Sequence, residues 1–254
     1  MPSYRVRALA LKKTKLGEAD LIVTLLAEDG CQIRAVAKGA RKTASRFGAR
    51  VEPFSVADLL LHTGRTLEVI TDAETVASHA ALREDYDRCM AATVAADFLD
   101  KSSVECQTDD RLFGLATATF DAMEQGGVED LPALVVAFLV KGMAMQGYRP
   151  QFDACASCGG GVSGDLRFDL EHGGPTCEGC GRADGQELHL GAGAAAAIRA
   201  LLGVRMSEVP ALEVPADVTS EALRAMRAFV VYHVPARLKA LEMYATAVER
   251  ASRS

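Results

Sequence analysis

The sequence predicts an α+β protein of several modules: an N-terminal OB-fold β-barrel, then an all-α domain with an inserted four-cysteine zinc ribbon. Three observations carry this reading. Five short alternating segments with regularly spaced turn signals fill about the first 75 residues. From about Ser78 the hydrophobic period changes to three and four residues. Two Cys-x-x-Cys pairs, Cys155-Ala-Ser-Cys158 and Cys177-Glu-Gly-Cys180, stand 18 residues apart in the second half. The expected modules are a barrel at 1–78, a first helical part at 79–150, the ribbon at 151–190 and a second helical part at 191–254.

The first strand is expected over residues 3–13, with Tyr4, Val6, Ala8 and Ala10 on one face and Arg5, Arg7, Leu9 and Leu11 on the other. Leu16 to Asp20 reads as a turn, Leu21–Ala27 as a second strand, and Glu28-Asp29-Gly30 as a tight turn in which Gly30 supplies a positive φ. Cys31–Lys38 alternates as a third strand. Val51–His62 is expected as a fourth, Thr63-Gly64 as a hairpin turn, and Arg65–Ile70 as a fifth. Leu82, Tyr86, Cys89, Met90, Thr93, Val94 and Phe98 then recur at helical spacing and predict a helix to about Asp100. Further helices are expected from Arg111 to about Gln125, from Asp130 through Met143, over Ala194–Leu202, and over Thr219–Val234 and Ala236–Arg250.

The paired cysteines carry the most specific chemistry. Each Cys-x-x-Cys turn aims two thiolates into one small volume, and two such turns complete the tetrahedron that Zn²⁺ accepts. Cys155, Cys158, Cys177 and Cys180 are therefore the expected ligands of one zinc ion. Four thiolates fill its shell and leave no place for water, so the ion is expected to be structural. Two disulfides or four free thiols are the competing readings; the spacing and the lack of an export signal favour zinc. Cys31, Cys89 and Cys106 read as small core or surface residues.

Composition bounds the rest. A 254-residue chain with 49% hydrophobic and 24% charged residues has the profile of a soluble globular protein. The N-terminus shows no continuous apolar run behind its charges, so no signal peptide is expected. The most apolar stretch, Leu131 to Val140, is broken by Pro132 and stopped by Lys141, too short to span a bilayer. A cytoplasmic location without a membrane partner follows as the expectation.

The net charge of −6 hides an asymmetry: residues 1–50 carry eleven Lys or Arg against four acids, which leaves −13 for the remainder. A basic head on an acidic body suggests a polyanionic partner for the head alone; a solvated strand face is the plain alternative. The loop Lys38-Gly-Ala-Arg-Lys-Thr-Ala-Ser-Arg-Phe-Gly-Ala-Arg50 holds five cations in 13 positions. Its Lys38, Arg41, Lys42, Arg46 and Arg50, with Arg5, Arg7 and Arg34 on neighbouring strands, are the expected contacts for the phosphates of such a polyanion. Phe47 either stacks on an exposed base or, the favoured reading, anchors the loop to the barrel. The loop is not a P-loop, because neither Gly39 nor Gly48 is followed by Gly-Lys-Ser/Thr.

Read together, several motifs give the chain a resemblance to the RecO family of bacterial recombination mediators. They are Lys38-Gly-Ala-Arg-Lys42 with Ser45-Arg-Phe-Gly48, Pro53-Phe54, Ala81-Leu82-Arg83-Glu84-Asp85, Gly147-Tyr148-Arg-Pro150 ahead of the first cysteine pair, and Tyr232-His233 with Arg237-Leu238-Lys239. The resemblance covers nearly the whole length. Pro235 and Ala240 depart from the Gly and Ser usual in the family, at the join of the last two helices. The resemblance implies binding of single- and double-stranded DNA, annealing of complementary strands, and action with RecR and the single-strand-binding protein SSB to load RecA, at the nucleoid. It also implies a site for the acidic, apolar-ended C-terminal tail of SSB, for which Arg224, Arg227, Arg237 and Lys239 are candidates; a solvated helix face is the plainer reading of any one of them.

Two other classes compete. A zinc hydrolase or nucleobase deaminase needs an open zinc, a Glu beside the first ligand and a Pro-Cys-x-x-Cys half-site. Here Thr176 separates Pro175 from Cys177, no His-x-Glu precedes it, and four cysteines close the metal. No enzyme and no small-molecule substrate are expected. A zinc-ribbon transcription factor or interaction scaffold fits the composition, and is told from a mediator by whether the protein accelerates strand annealing without nucleotide.

Overall fold

A computed structural model describes residues 2–42, 47–48, 50–103, 109–181 and 186–252. By compactness the chain divides into two units, Met1–Glu124 and Gln125–Ser254.

The first unit begins with five strands: β1 (Ser3–Leu16), β2 (Asp20–Ala27), β3 (Gln32–Ala37), β4 (Val56–His62) and β5 (Glu68–Ala77). They close into a barrel in the order β1-β2-β3-β5-β4, with β4 returning to β1 and every pair antiparallel except β3 with β5. This is the expected OB-type architecture. Its lining is small: Ala8, Ala10, Ala35, Ala37, Ala57 and Ala73 share the interior with Val23, Leu25, Leu59, Leu61 and Ile70. A five-stranded barrel is narrow, so alanine at alternate inward positions fills it without overpacking. Gly30 turns the chain between β2 and β3 at φ +87°, and a side chain there would run into the Asp109 backbone.

Two β-bulges correct the expected strand limits. The β1–β2 register jumps between Ala10 and Lys12, so Leu11 is the extra residue and β1 runs on to Leu16. The β4–β5 register jumps between Leu60 and Leu61, with Thr71 as the extra residue; its hydroxyl donates to Leu60 O at 3.0 Å. The bulge turns Ile70 and Ala73 to the same interior although they are three residues apart. Strict alternation therefore places the fifth strand too early, at 65–70, when its paired length is 68–77.

Beyond the barrel lie α1 (Ala81–Glu84), α2 (Tyr86–Ser102) and α3 (Asp110–Gln125). The one helix expected to Asp100 is broken at Asp85, which is extended (φ −102°, ψ 131°) and accepts the Arg88 N–H as N-cap of α2. α2 lies against β1, and Gln32 at the start of β3 donates to Asp100 O and Ser103 Oγ at its end. Buried His79 fixes α3 as well, with Nδ1 2.8 Å from Phe54 O and Nε2 2.9 Å from an Asp121 oxygen.

In the second unit α4 (Leu131–Met145) is the hub. Leu134, Val136, Phe138, Leu139, Val140 and Met143 are fully enclosed, which is why the stretch is apolar all round. α5 (Ala192–Gly203) and α6 (Ala216–His233) pack on α4, and α7 (Lys239–Ala251) packs on α6. Between α4 and α5 three short strands, β6 (Leu166–Asp169), β7 (Gly174–Thr176) and β8 (Glu187–Leu190), form a sheet in the order β7-β6-β8. Among the described residues no helix is long and apolar enough to cross a membrane.

Candidate nucleic-acid interface and metal centre

The sheet brings the four cysteines together. β7 runs directly into Cys177, and the Ala156 N–H donates to Pro175 O at 2.7 Å, tying the first Cys-x-x-Cys turn to that strand. Within the first turn Gly159 N donates to Cys155 O at 2.9 Å, with Gly159 at φ +72°; within the second, Cys180 N donates to Cys177 O at 3.0 Å. All four sulfurs lie within 4.8 Å of one another, Cys155 buried and Cys158 exposed.

The arrangement fits a metal and not a pair of disulfides. All four cysteines are free, and the sulfurs of Cys158 and Cys177 are 3.8 Å apart, far beyond an S–S bond of about 2.05 Å. Metal–thiolate bonds of about 2.3 Å at tetrahedral angles set neighbouring sulfurs about 3.8 Å apart. The titration of the cluster agrees. The Cys155 thiol is held down at about 6, chiefly by the N–H groups of Cys177 and then Cys158, while Cys180 is pushed up to about 12 by hydrogen bonding with Cys177 and Cys158. Four thiolates this close ionise together only around a cation. Cys155, Cys158, Cys177 and Cys180 can thus hold a metal ion.

A second cluster, Asp169, Glu171 and His172, reads differently. Buried Asp169 accepts the Glu171 and His172 N–H groups at 2.8 and 3.0 Å, capping the turn between β6 and β7. Burial raises its pKa, and the His172 and Glu171 hydrogen bonds outweigh that and leave it below the usual carboxylate range.

The expected basic residues fall into two groups on the barrel. Lys38, Arg41 and Lys42 follow β3 and are exposed. Their loop is held to the β1–β2 turn: Gly39 N donates to Asp20 Oδ1 at 2.7 Å, Arg41 N to Ala19 O at 3.0 Å, and Arg41 Nη1 to Gly17 O and Glu18 O at 3.0 and 2.7 Å. Phe47 is 7% exposed and lies in the barrel core with Ala40 and Val51, so it anchors the loop. Arg50 is exposed but donates to Ala73 O at 3.0 Å. Arg46 lies outside the described residues, as does Cys106.

Arg5 and Arg34 form the other group. They line one cavity where β1 and β3 begin, away from the β1–β2 turn at which β1 ends. Arg7 stands apart: its Nε and Nη2 donate to both oxygens of cross-strand Asp58, at 2.8 and 2.9 Å, which holds the Asp58 carboxyl below its ordinary range. Sequence reading missed this neutralising partner; the β1–β4 register, which sets Arg7 opposite Asp58, is the signal that reveals it. It also missed Asp20, the carboxylate that accepts the loop's Gly39 N–H.

In the second unit, Arg224 pairs with Glu221 at 3.3 Å and Arg237 with Glu242 at 3.0 Å. Arg227 is half-buried and Lys239 exposed, while Val231, Tyr232 and Met243 present apolar surface on α6 and α7. Tyr148 stacks on His233 with ring centroids 4.2 Å apart.

Comparison with known proteins agrees with this geometry. The family model described as "Recombination protein O N terminal" matches residues 1–79, and "Recombination protein O C terminal" matches residues 83–242. The chain is 37% identical over 239 residues to the DNA repair protein RecO of Rubrobacter xylanophilus, covering 92% of this chain and 94% of that one. To the DNA repair protein RecO of a Nocardioides species it is 38% identical over 245 residues, covering 94% and 97%. To that of an Anaeromyxobacter species it is 32% identical over 243 residues, covering 94% and 95%. With matches over both halves, the chain belongs to the RecO family of DNA repair proteins.

Proposed function

We propose that this chain is a non-catalytic recombination mediator that binds single- and double-stranded DNA, anneals complementary strands, and with RecR helps load RecA on SSB-coated single strands. The observation that carries this reading is the exposed Lys38, Arg41 and Lys42, held against the β1–β2 turn of a closed barrel. The backbone that carries them is held in place and Arg41 is fixed by its side chain as well, while Lys38 and Lys42 are left free to meet phosphates; none of the three reads sequence. Arg5, Arg34 and Arg50 extend the surface, and Arg46, outside the described residues, is proposed as a further contact; Arg7 contributes less, because Asp58 already opposes its charge.

In this reading the barrel over 1–78 takes the DNA, and the helical parts at 79–150 and 191–254 meet protein partners. Arg227 and Lys239 beside the exposed apolar residues of α6 and α7 suit an acidic, apolar-ended SSB tail better than the ion-paired Arg224 and Arg237. The ion held by the ribbon at 151–190 is zinc, which cross-links that segment and, fully ligated by thiolates, activates no water. The work is cytoplasmic, at the nucleoid.

A strand-annealing assay without nucleotide tests the proposal. Complementary strands, bare and SSB-coated, should pair faster in the presence of the protein. Binding without faster annealing would point to a scaffold or transcription factor instead.

A further inference from the structure

The barrel carries a cavity that the basic loop does not use. β2 ends at Ala27, opposite Ala8, whereas β1 continues back to Ser3 along β4 alone; β5 meets β3 only from Ala35 onward. The starts of β1 and β3 are therefore unpaired with each other, and a cavity of about 430 Å³ opens between them, bounded by the β2–β3 turn and the start of β5. That volume is in the range of small-molecule and nucleotide sites.

Its lining is sorted by chemistry. Val6 and Ile33 form an apolar floor packed on the barrel core. Arg5 and Arg34 are exposed at the rim. Tyr4 offers a ring 38% exposed, its hydroxyl kept protonated by burial and by the nearby Glu68 and Asp29 carboxylates. Asp29 is partly used, accepting the Cys31 N–H at 2.9 Å. Glu68 has one carboxylate oxygen enclosed without a hydrogen-bond partner among the described residues. An aromatic face, an apolar floor, an acceptor in need of a donor and flanking cations match the parts of one nucleotide within a strand: base face, amino edge and phosphates.

We propose that this cavity takes one unstacked base of a bound single strand, stacked on Tyr4, with its exocyclic amino group donating to Glu68 and the adjoining phosphates on Arg5 and Arg34. The inference rests on the DNA-binding reading above and adds a site to it. A duplex keeps its bases stacked and paired, so the site acts on single strands only. It prefers cytosine or adenine to thymine, whose imino group is flanked by two carbonyls that a carboxylate repels. Binding by the loop stays indifferent to sequence; this single site adds the preference.

The full-length protein is titrated with a 2-aminopurine-labelled single strand, with its duplex, and with oligo(dC) and oligo(dT), while thermal melting confirms folding of each variant. Wild type should quench the label and bind oligo(dC) about fivefold more tightly than oligo(dT). Tyr4→Ala should lose the quench and weaken single-strand binding about five- to tenfold, leaving duplex affinity unchanged; Tyr4→Phe should keep both. Glu68→Gln should erase the oligo(dC) preference. A Tyr4→Ala variant that binds and quenches like wild type, or that weakens strand and duplex alike, overturns the base site while leaving the loop reading intact. Displacement of the strand by millimolar dCMP overturns it too, reassigning the cavity to a free nucleotide. Wild-type protein that binds no DNA at all would instead remove the reading on which the site rests.

Discussion

Removing Lys38 and Lys42 together tests the loop most cleanly. Both are exposed, and neither makes a side-chain hydrogen bond or ion pair with the described residues. Their loss should subtract charge without disturbing the barrel. If each meets one phosphate, the log–log dependence of single-strand affinity on salt should flatten by about 0.7 per residue, or about 1.4 for the Lys38→Ala/Lys42→Ala variant. Between about 50 and 200 mM salt, roughly 0.6 of a decade, wild type should then lose about sevenfold more affinity than the variant. Arg41 is a different case, because its Nη1 also holds the Gly17 and Glu18 carbonyls. Arg41→Lys keeps the charge but not the planar fork, so it should preserve the salt slope while loosening the β1–β2 turn. Lys42→Glu should bind more weakly than Lys42→Ala, since repulsion is added to a lost contact. Fluorescence anisotropy at four salt concentrations on two unrelated sequences measures all of this. Unchanged affinity and slope in the double lysine variant would refute the assignment, and the loop would be a solvated connection.

Three further outcomes are expected. Phe47→Ala removes a ring from the barrel core and should cost about 3–5 kcal/mol, read as a lower urea midpoint; lost single-strand affinity at unchanged stability would mean that the ring faces DNA instead. Cys158→Ser leaves three thiolates, so zinc content by elemental analysis should fall below one per chain and the ribbon should become protease-sensitive before DNA affinity declines; zinc-free wild-type protein, purified without chelator, would sink the metal assignment. In chelator-treated protein the two displaced thiols act in opposite directions. Cys155, depressed from 9.0 to about 6, contributes stability that is complete above pH 9 and is lost as pH falls through 6; Cys180, raised to about 12, contributes stability that is complete below pH 9 and is lost as pH rises through 12. Its melting temperature should peak near pH 9, and the alkaline fall should vanish on adding zinc.

Local signals in the chain are enough to read much of this molecule. Gly30 at a positive φ, the all-round apolar α4 and the two cysteine turns each depend on residues within a few positions of one another. What escapes such reading depends on pairing at a distance. The bulges at Leu11 and Thr71 exist only relative to β2 and β4, and they exchange inside for outside partway along a strand. The break at Asp85 is a partial exception. Asp85 is itself a favoured N-cap residue, but it sits inside a run of apolar residues at unbroken helical spacing and is outvoted by it.

Charge shows the same division between local and distant information. A surplus of seven positive charges in the first 50 residues is a count, and a count does not know which cations are already opposed. Asp58 cancels Arg7 across the β1–β4 pair, and Glu52 and Asp100 lie beside Lys13 and Lys12 at 2.5 and 3.5 Å. All three partners lie beyond residue 50. The field offered to a polyanion therefore comes from fewer residues than the count implies, concentrated at Lys38, Arg41 and Lys42 by the β1–β2 turn and at Arg5 and Arg34 by the cavity mouth. If the proposed DNA reading holds, two separate cationic groups on one small barrel would contact a backbone at two points, and so orient a strand along the barrel wall, which one diffuse patch of the same total charge would not do.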